Sequence, residues 1–164
     1  MTEPQHLGEF NGFEIYPMPM FATISVADVS AVSEWYRNAL GFGVVFSAPA
    51  GPGGQPAMVH LRRKKYQDVL IVPAQSAAAP STASTISVSF SADDGEVDAI
   101  AERARSARPL GTSAIAGPID TPWNTRDLRV TDPVGTRLVF TGRNPNADPE
   151  QMKRMQALLS AGKR

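Results

Sequence analysis

Residues 21–26, FATISV, alternate along the chain, placing Ala22, Ile24 and Val26 on one face and Phe21, Thr23 and Ser25 on the other. That pattern predicts a half-buried strand. Ser30 then offers an N-cap. AVSEWYRNAL carries Val32, Tyr36 and Leu40 at helical spacing, and Gly41 stands where a left-handed C-terminal residue is wanted. GVVFS at 43–47 reads as a second strand, and APAGPGGQP reads as a Gly/Pro loop with no place inside a sheet. Residues 58–62 and 69–72 supply two further strands across a charged turn holding Arg62, Arg63, Lys64 and Lys65, which is most simply a solvated turn. The first module is therefore β-α-β-β-β.

The same order returns after the low-complexity run AQSAAAPSTAS. TISVSF at 85–90 repeats the first strand, and a helix follows from an N-cap at Asp93 or Asp94 through Val97, Ile100, Ala101 and Ala104. TRDLRVTD and TRLVFT, joined at Asp132-Pro133-Val134-Gly135, read as a closing hairpin. Superposing the halves pairs Ile24 with Val88, Val32 with Val97, Leu61 with Val130 and Leu70 with Leu138, at offsets of 64 to 69 residues. A duplication follows, with a period too long and copies too few for a solenoid. The expected organisation is an arm at 1–20, modules at 21–73 and 85–142, a linker at 74–84 and a tail with a helix at 143–164. Phe10-Asn11-Gly12-Phe13 suggests a hairpin tip in the arm, and Met152, Met155, Leu158 and Leu159 form an apolar stripe in the tail.

Composition narrows the function more than it defines it. Sixteen basic residues balance sixteen acidic ones, so no net field recruits nucleic acid or an anionic membrane. With no cysteine and only His6 and His60 as imidazoles, the chain is poorly supplied for a metal centre. No signal peptide is visible at MTEPQHLGEF, and no stretch approaches the ~18 apolar residues of a membrane span. A cytoplasmic location is the expectation. No dinucleotide fingerprint, phosphate loop or Ser-His-Asp order occurs, and Gly51, Pro52, Gly53 and Gly54 lack the following helix that a phosphate site needs.

SVADVSAVSEWYRNALGF resembles the opening strand, Asp turn and helix of vicinal-oxygen-chelate proteins, and TPWNTRDLRVTDPVGTRLVF resembles their closing hairpin. The likeness spans roughly 20–142 and is strongest to the metal-free, drug-binding branch typified by bleomycin resistance. It implies an α+β fold of two tandem βαβββ modules forming a curled mixed sheet around a cup, with the helices on the convex face. Alternation would then turn Ile24, Val26, Leu61, Leu70, Val88, Phe90, Leu128, Val130, Leu138 and Phe140 toward the helices. Phe21, Thr23, Ser25, Met58, His60, Arg62, Val69 and Ile71 would face the cup from the first module, and Thr85, Ser87, Ser89, Asp127, Arg129, Arg137, Val139 and Thr141 from the second.

Metal-dependent members of that superfamily carry His, Glu or Gln at four cup positions, which correspond here to Phe21, Ile71, Thr85 and Val139. None is a credible ligand, so the resemblance implies binding of a small molecule, such as an aromatic natural product, with no cofactor and in a homodimer. The ligand-binding candidates are Phe21, Thr23, Met58, His60, Arg62, Thr85, Ser87, Trp123, Asp127, Arg129, Arg137 and Val139. Trp123 either stacks on the ligand or merely covers a strand end, and Asn124 stands where glycine is more usual. Arg62, Arg129 and Arg137 could contact an anionic group, but Asp68, Asp127 and Asp132 could neutralise them, and paired strand charges are the simpler account. No catalytic residue is assigned. An enzyme reading, a lyase, isomerase or dioxygenase in the same cup, would rest on His60 as a base working with Asp127 or Arg62. A third reading fills the cup with protein, from the arm or the C-terminal helix.

Overall fold

The structure is a computed structural model describing residues 8–50, 54–74, 86–150, 153 and 157. A two-stranded hairpin, β1 (Glu9–Phe10) and β2 (Phe13–Glu14), precedes β3 (Ala22–Val26), α1 (Val29–Leu40), β4 (Gly43–Ser47), β5 (Val59–Arg62) and β6 (Asp68–Pro73). The second module runs β7 (Ser87–Ser91), α2 (Glu96–Ser106), β8 (Ala114–Asp120), β9 (Thr125–Thr131) and β10 (Arg137–Arg143). The sheets have matching orders, β3-β6-β5-β4 and β7-β10-β9-β8. In each, the first and last strands pair in parallel and the others antiparallel. This is the expected α+β duplication.

Local chemistry explains the boundaries and corrects several expectations. The α1 cap is Asp28 rather than Ser30, its carboxylate accepting from the Ala31 amide, while the Gln55 side chain accepts from the Val29 amide. Gly41 closes the helix at φ 75°, a conformation that costs glycine little. At α2 neither Asp93 nor Asp94 caps: the Asp93 carboxylate is bonded to Lys64, and Glu96 reaches back to accept from the Asp93 amide. Strand β8 has no clear sequence pattern, because Gly117 and Pro118 interrupt it beside a register shift between Ala116 and Ile119.

One core serves both modules. Ile24, Val26, Val59, Leu61, Val69 and Ile71 meet α1, Leu128, Val130, Leu138 and Phe140 meet α2, and all belong to one buried cluster. Phe42 packs edge-on to Phe90, which stacks on Phe140. The helices therefore lie between the sheets, and the opposite faces of the sheets lie outside this core.

The third correction concerns β6. Val69 and Ile71 are fully buried, whereas Leu70 turns outward. DVLIVP is apolar on both faces, so period-two alternation carried no information there. Pairing decides it: Val69 sits opposite Leu61, and Ile71 sits between Ile24 and Val59. Superposition consequently matches Val69 with Leu138 and Ile71 with Phe140, not Leu70 with Leu138, and by the same register Ile24 with Phe90 rather than Val88.

The RRKK turn is no solvated loop. The Arg63 side chain is buried, pairs with Glu96 at 2.6 Å and donates to the Ser91 carbonyl, while Gln67 also donates to that carbonyl. Lys64 pairs with Asp93 and Glu96. The β5–β6 turn thus clasps the start of α2. Reciprocally, Tyr36 on α1 donates to Asp132 in the β9–β10 turn at 2.8 Å. The arm hairpin forms at Phe10-Asn11-Gly12-Phe13, with Asn11 at φ 50° and Gly12 at φ 77°, as a two-residue turn of this kind requires. The apolar stripe of the tail lies outside the described residues.

Candidate functional site

On the first sheet, the outward row places Thr23 and His60 on either side of Leu70 and sets Phe46 opposite His60. Arg62 and Asp68 face each other at its end. Phe21 precedes β3 with 46% of its surface exposed, and Met58 is half-buried just before β5. Around Asp68 a compact polar cluster forms. One carboxylate oxygen meets His60 Nε2 at 2.6 Å and accepts from Arg62 Nε at 2.7 Å, while the other accepts from the Tyr16 hydroxyl at 3.0 Å. Arg62, only 4% exposed, also donates to the Glu14 carbonyl at 2.6 Å and lies 4.1 Å above the Tyr16 ring. Burial pushes the Asp68 carboxyl upward, but hydrogen bonds from His60 and Arg62, the Arg62 charge and Tyr16 outweigh it, leaving the group below its ordinary value. The Tyr16 hydroxyl is raised by burial and by Asp68.

Arm and sheet meet at this cluster. Phe10 packs on Phe46, Asn11 donates to the Val45 carbonyl, and Lys65 pairs with Glu14. Part of the first outer face is therefore occupied by the chain's own arm.

On the second sheet, Arg137 lies between Ser87 and Thr131, Val139 between Ser89 and Arg129, and Thr141 between Ser91 and Asp127. One Asp127 oxygen accepts from the hydroxyls of Thr125 and Thr141, at 2.8 and 2.7 Å. Asp127 thus pairs with threonines, not with Arg129 and not with His60, which has Asp68 as its partner. Ile119 stands opposite Asp127 and is exposed. Trp123, 60% exposed, rides on the 121–124 turn. Asn124 adopts the left-handed conformation itself, at φ 65°, with its amide bonded to the Thr121 carbonyl and its own carbonyl accepting from the Asn144 amide. Trp35 is buried edge-on to Tyr36 in α1.

The sequence candidates therefore separate into two groups. Phe21, Thr23 and His60 share the first outer face, with Arg62 enclosed at its end by Asp68 and Tyr16. Ser87, Asp127, Arg129, Arg137 and Val139 share the second, and Thr85 lies outside the described residues. Sequence reasoning missed Leu70, Phe46 and Tyr16 as contributors, and its pairing of strand charges reached Arg62 with Asp68 but not Arg129 or Arg137. Only Asp68, a carboxylate eight residues from His60 in an otherwise apolar strand, gave a usable signal.

The metal of the metal-dependent relatives does not fit these residues. The outward residue opposite Thr23 is Leu70 rather than Ile71, and it stands alongside Phe21 and Val139, none of which carries a donor atom. Among the described residues, no group of three or more His, Asp or Glu side chains is placed to hold an ion. No helix among them is long and apolar enough to cross a membrane.

Two βαβββ units with matching strand order, helices inside and open sheet faces outside, define a paired-module protein of the vicinal-oxygen-chelate type. Residues 19–140 match the family profile of the glyoxalase/bleomycin resistance protein/dioxygenase superfamily, and the chain belongs to that superfamily. Similar solved structures include TioX from Micromonospora sp. ML1, with 20% identity, 76% of this chain and 97% of that chain covered, and a TM-score of 0.56. Another is TnmS3 from Streptomyces sp. CB03234, described as an antibiotic binding protein, with 22% identity, 75% and 93% coverage and a TM-score of 0.55. The bleomycin resistance determinant encoded on transposon Tn5 gives 20% identity, 76% and 96% coverage and a TM-score of 0.56. At such identities the likeness is one of fold. No curated protein sequence matches significantly.

Proposed function

We propose that the protein binds a small organic molecule on the outer faces of its sheets, without a metal, and protects by sequestering it unchanged, as an antibiotic-binding protein would. The observation carrying this reading is exposed apolar surface at those faces: Phe21, Phe46 and Ile119 stand among hydroxyl and arginine side chains and Trp123 is exposed on the adjoining turn, while three of the family's four metal positions hold apolar residues and the fourth is Thr85. Exposed aromatic surface beside a few polar groups suits a flat, partly polar ligand. Each face is only half a cup, and a second copy of the chain closes it in a homodimer. A cytoplasmic location goes with this role.

Titration of glycopeptide and quinone antibiotics, followed by heat and intrinsic fluorescence, tests the reading. A bound compound changes Trp123 emission and is recovered with its mass unchanged. Loss of one stacking contact, ~0.5–1.5 kcal/mol, makes Trp123→Ala bind roughly three- to tenfold more weakly. Trp35→Phe, away from both faces, leaves affinity unaltered. Unchanged affinity in Trp123→Ala removes the indole from the site. A second reading, proton transfer in a lyase or isomerase, is favoured by the His60–Asp68 contact, which fixes the imidazole. Conversion of a compound by wild type but not by His60→Gln would replace sequestration with that reading.

A further inference from the structure

We propose that the outer face of the second sheet contains an anion subsite made by Arg129 and Arg137 with the Ser87 and Ser89 hydroxyls, so that the ligand is an organic carboxylate or sulfonate. This rests on the binding reading above and specifies the ligand's charge. Register places the four groups together: Ser89 and Arg129 flank Val139, and Ser87 is opposite Arg137, one outward row away. Diagonal neighbours in a sheet lie ~7–8 Å apart, within reach of long side chains, so both guanidiniums can converge on one acidic group.

These two arginines combine the absence of a counter-charge, unlike three others, with neighbouring places on one outer sheet face. Arg62 is held by Asp68, Arg63 by Glu96, and Arg126 by Asp98 and Asp120. Arg129 and Arg137 are exposed, and neither forms a side-chain ion pair or hydrogen bond among the described residues. Asp127 shares the face but is hydrogen-bonded to Thr125 and Thr141, one row beyond Arg129 and two beyond Arg137. Asp132, adjacent in sequence to the strand end, is buried and bonded to Tyr36 and to the Val134 and Thr136 amides. Two like charges on neighbouring strands repel. An anion between them relieves that repulsion and accepts forked, charge-assisted hydrogen bonds, which guanidinium geometry favours.

The test uses the full chain at low salt with two probes of nearly equal shape, anthraquinone-2-sulfonate and the neutral anthraquinone-2-sulfonamide, titrated calorimetrically. The expected result is at least tenfold preference for the sulfonate, abolished in Arg129→Gln/Arg137→Gln and retained within threefold in Arg129→Lys/Arg137→Lys. Sulfonamide affinity stays constant across these variants, and Arg37→Gln, an exposed arginine on α1, changes neither affinity. Equal binding of the two probes by wild type, or undiminished sulfonate binding by the double Gln variant, overturns the subsite while leaving small-molecule binding intact. If neither probe binds, the subsite and the flat-ligand reading fall together.

Discussion

Tyr36→Phe should separate the contribution of the inter-module hydrogen bond from that of the shared apolar core. Tyr36 and Asp132 are both fully buried, 96 positions apart, and the phenol donates to one carboxylate oxygen at 2.8 Å. Burial, together with the neighbouring Asp132 charge, pushes the phenol well above its ordinary pKa, so it remains a donor at any ordinary pH. The other Asp132 oxygen accepts from the Val134 and Thr136 amides, at 3.0 and 2.7 Å, which fixes the β9–β10 turn. Removing the hydroxyl leaves the ring packing in place but strips a buried anionic oxygen of its donor. Hydrogen bonds to charged groups contribute about 1.5–3 kcal/mol. At this chain length each kcal/mol corresponds to roughly 2–4 °C, so the melting temperature should fall by about 3–12 °C. Thermal and urea denaturation followed by circular dichroism measure this, with Tyr66→Phe, an exposed phenol, as a control expected to melt as wild type does. Asp132→Asn should cost less, because the amide oxygen still accepts from both backbone amides and its NH2 can donate to the phenol oxygen. A Tyr36→Phe protein melting within 1 °C of wild type would refute the reasoning and assign the joint to apolar packing alone.

The remaining predictions address the arm, the site and the assembly. The folded Asp68 carboxyl sits below its ordinary value, so its stabilising contribution is complete above the unfolded value, roughly pH 4, and is lost as pH falls through the lower folded value. Melting temperature should therefore decline more steeply in wild type than in Asp68→Asn as pH drops below about 4; parallel profiles would contradict this. A Cβ at Gly43 would collide with the Phe13 ring, so Gly43→Ala should displace the arm and speed its proteolysis near residues 8–16, with global stability lowered by no more than about 1 kcal/mol. Unchanged cleavage would mean that Phe13 swings aside. Purified protein should keep its melting temperature in chelator, and one tightly bound equivalent of divalent metal would refute metal independence. Light scattering during size exclusion should report a dimer at micromolar concentration, and a monomer there would remove the second copy from the proposed cup.

Much of the architecture was legible because amphipathic patterning is local. FATISV, the Val32/Tyr36/Leu40 stripe and LRV in β9 alternate or repeat strongly enough to fix element type and inner face, and the similar order of the two halves revealed the duplication. The failures have equally local causes. DVLIVP is apolar on both faces, so its period said nothing about direction, and GPID hides a strand behind a glycine and a proline. Charged residues misled in the opposite sense: Arg63 and Lys64 resemble a solvated turn until the chain brings Glu96 and Asp93 against them.

The sequence by itself determined the βαβββ order of the first module and the return of its strand, helix and closing hairpin in the second, the α+β class, the Asn-Gly hairpin in the arm and the absence of donor side chains at Phe21 and Val139, since each depends on residue type and spacing along a short stretch. Only the tertiary structure decided which β6 residues face out, because Ile71 gains its partners from Ile24 and Val59 across the sheet. It also decided which charges are neutralised. Arg62 meets Asp68 on the neighbouring strand, Arg63 meets Glu96 33 positions away, and Arg129 and Arg137 meet no carboxylate among the described residues. Charge compensation depends on through-space distance, which a linear pattern of residues does not contain.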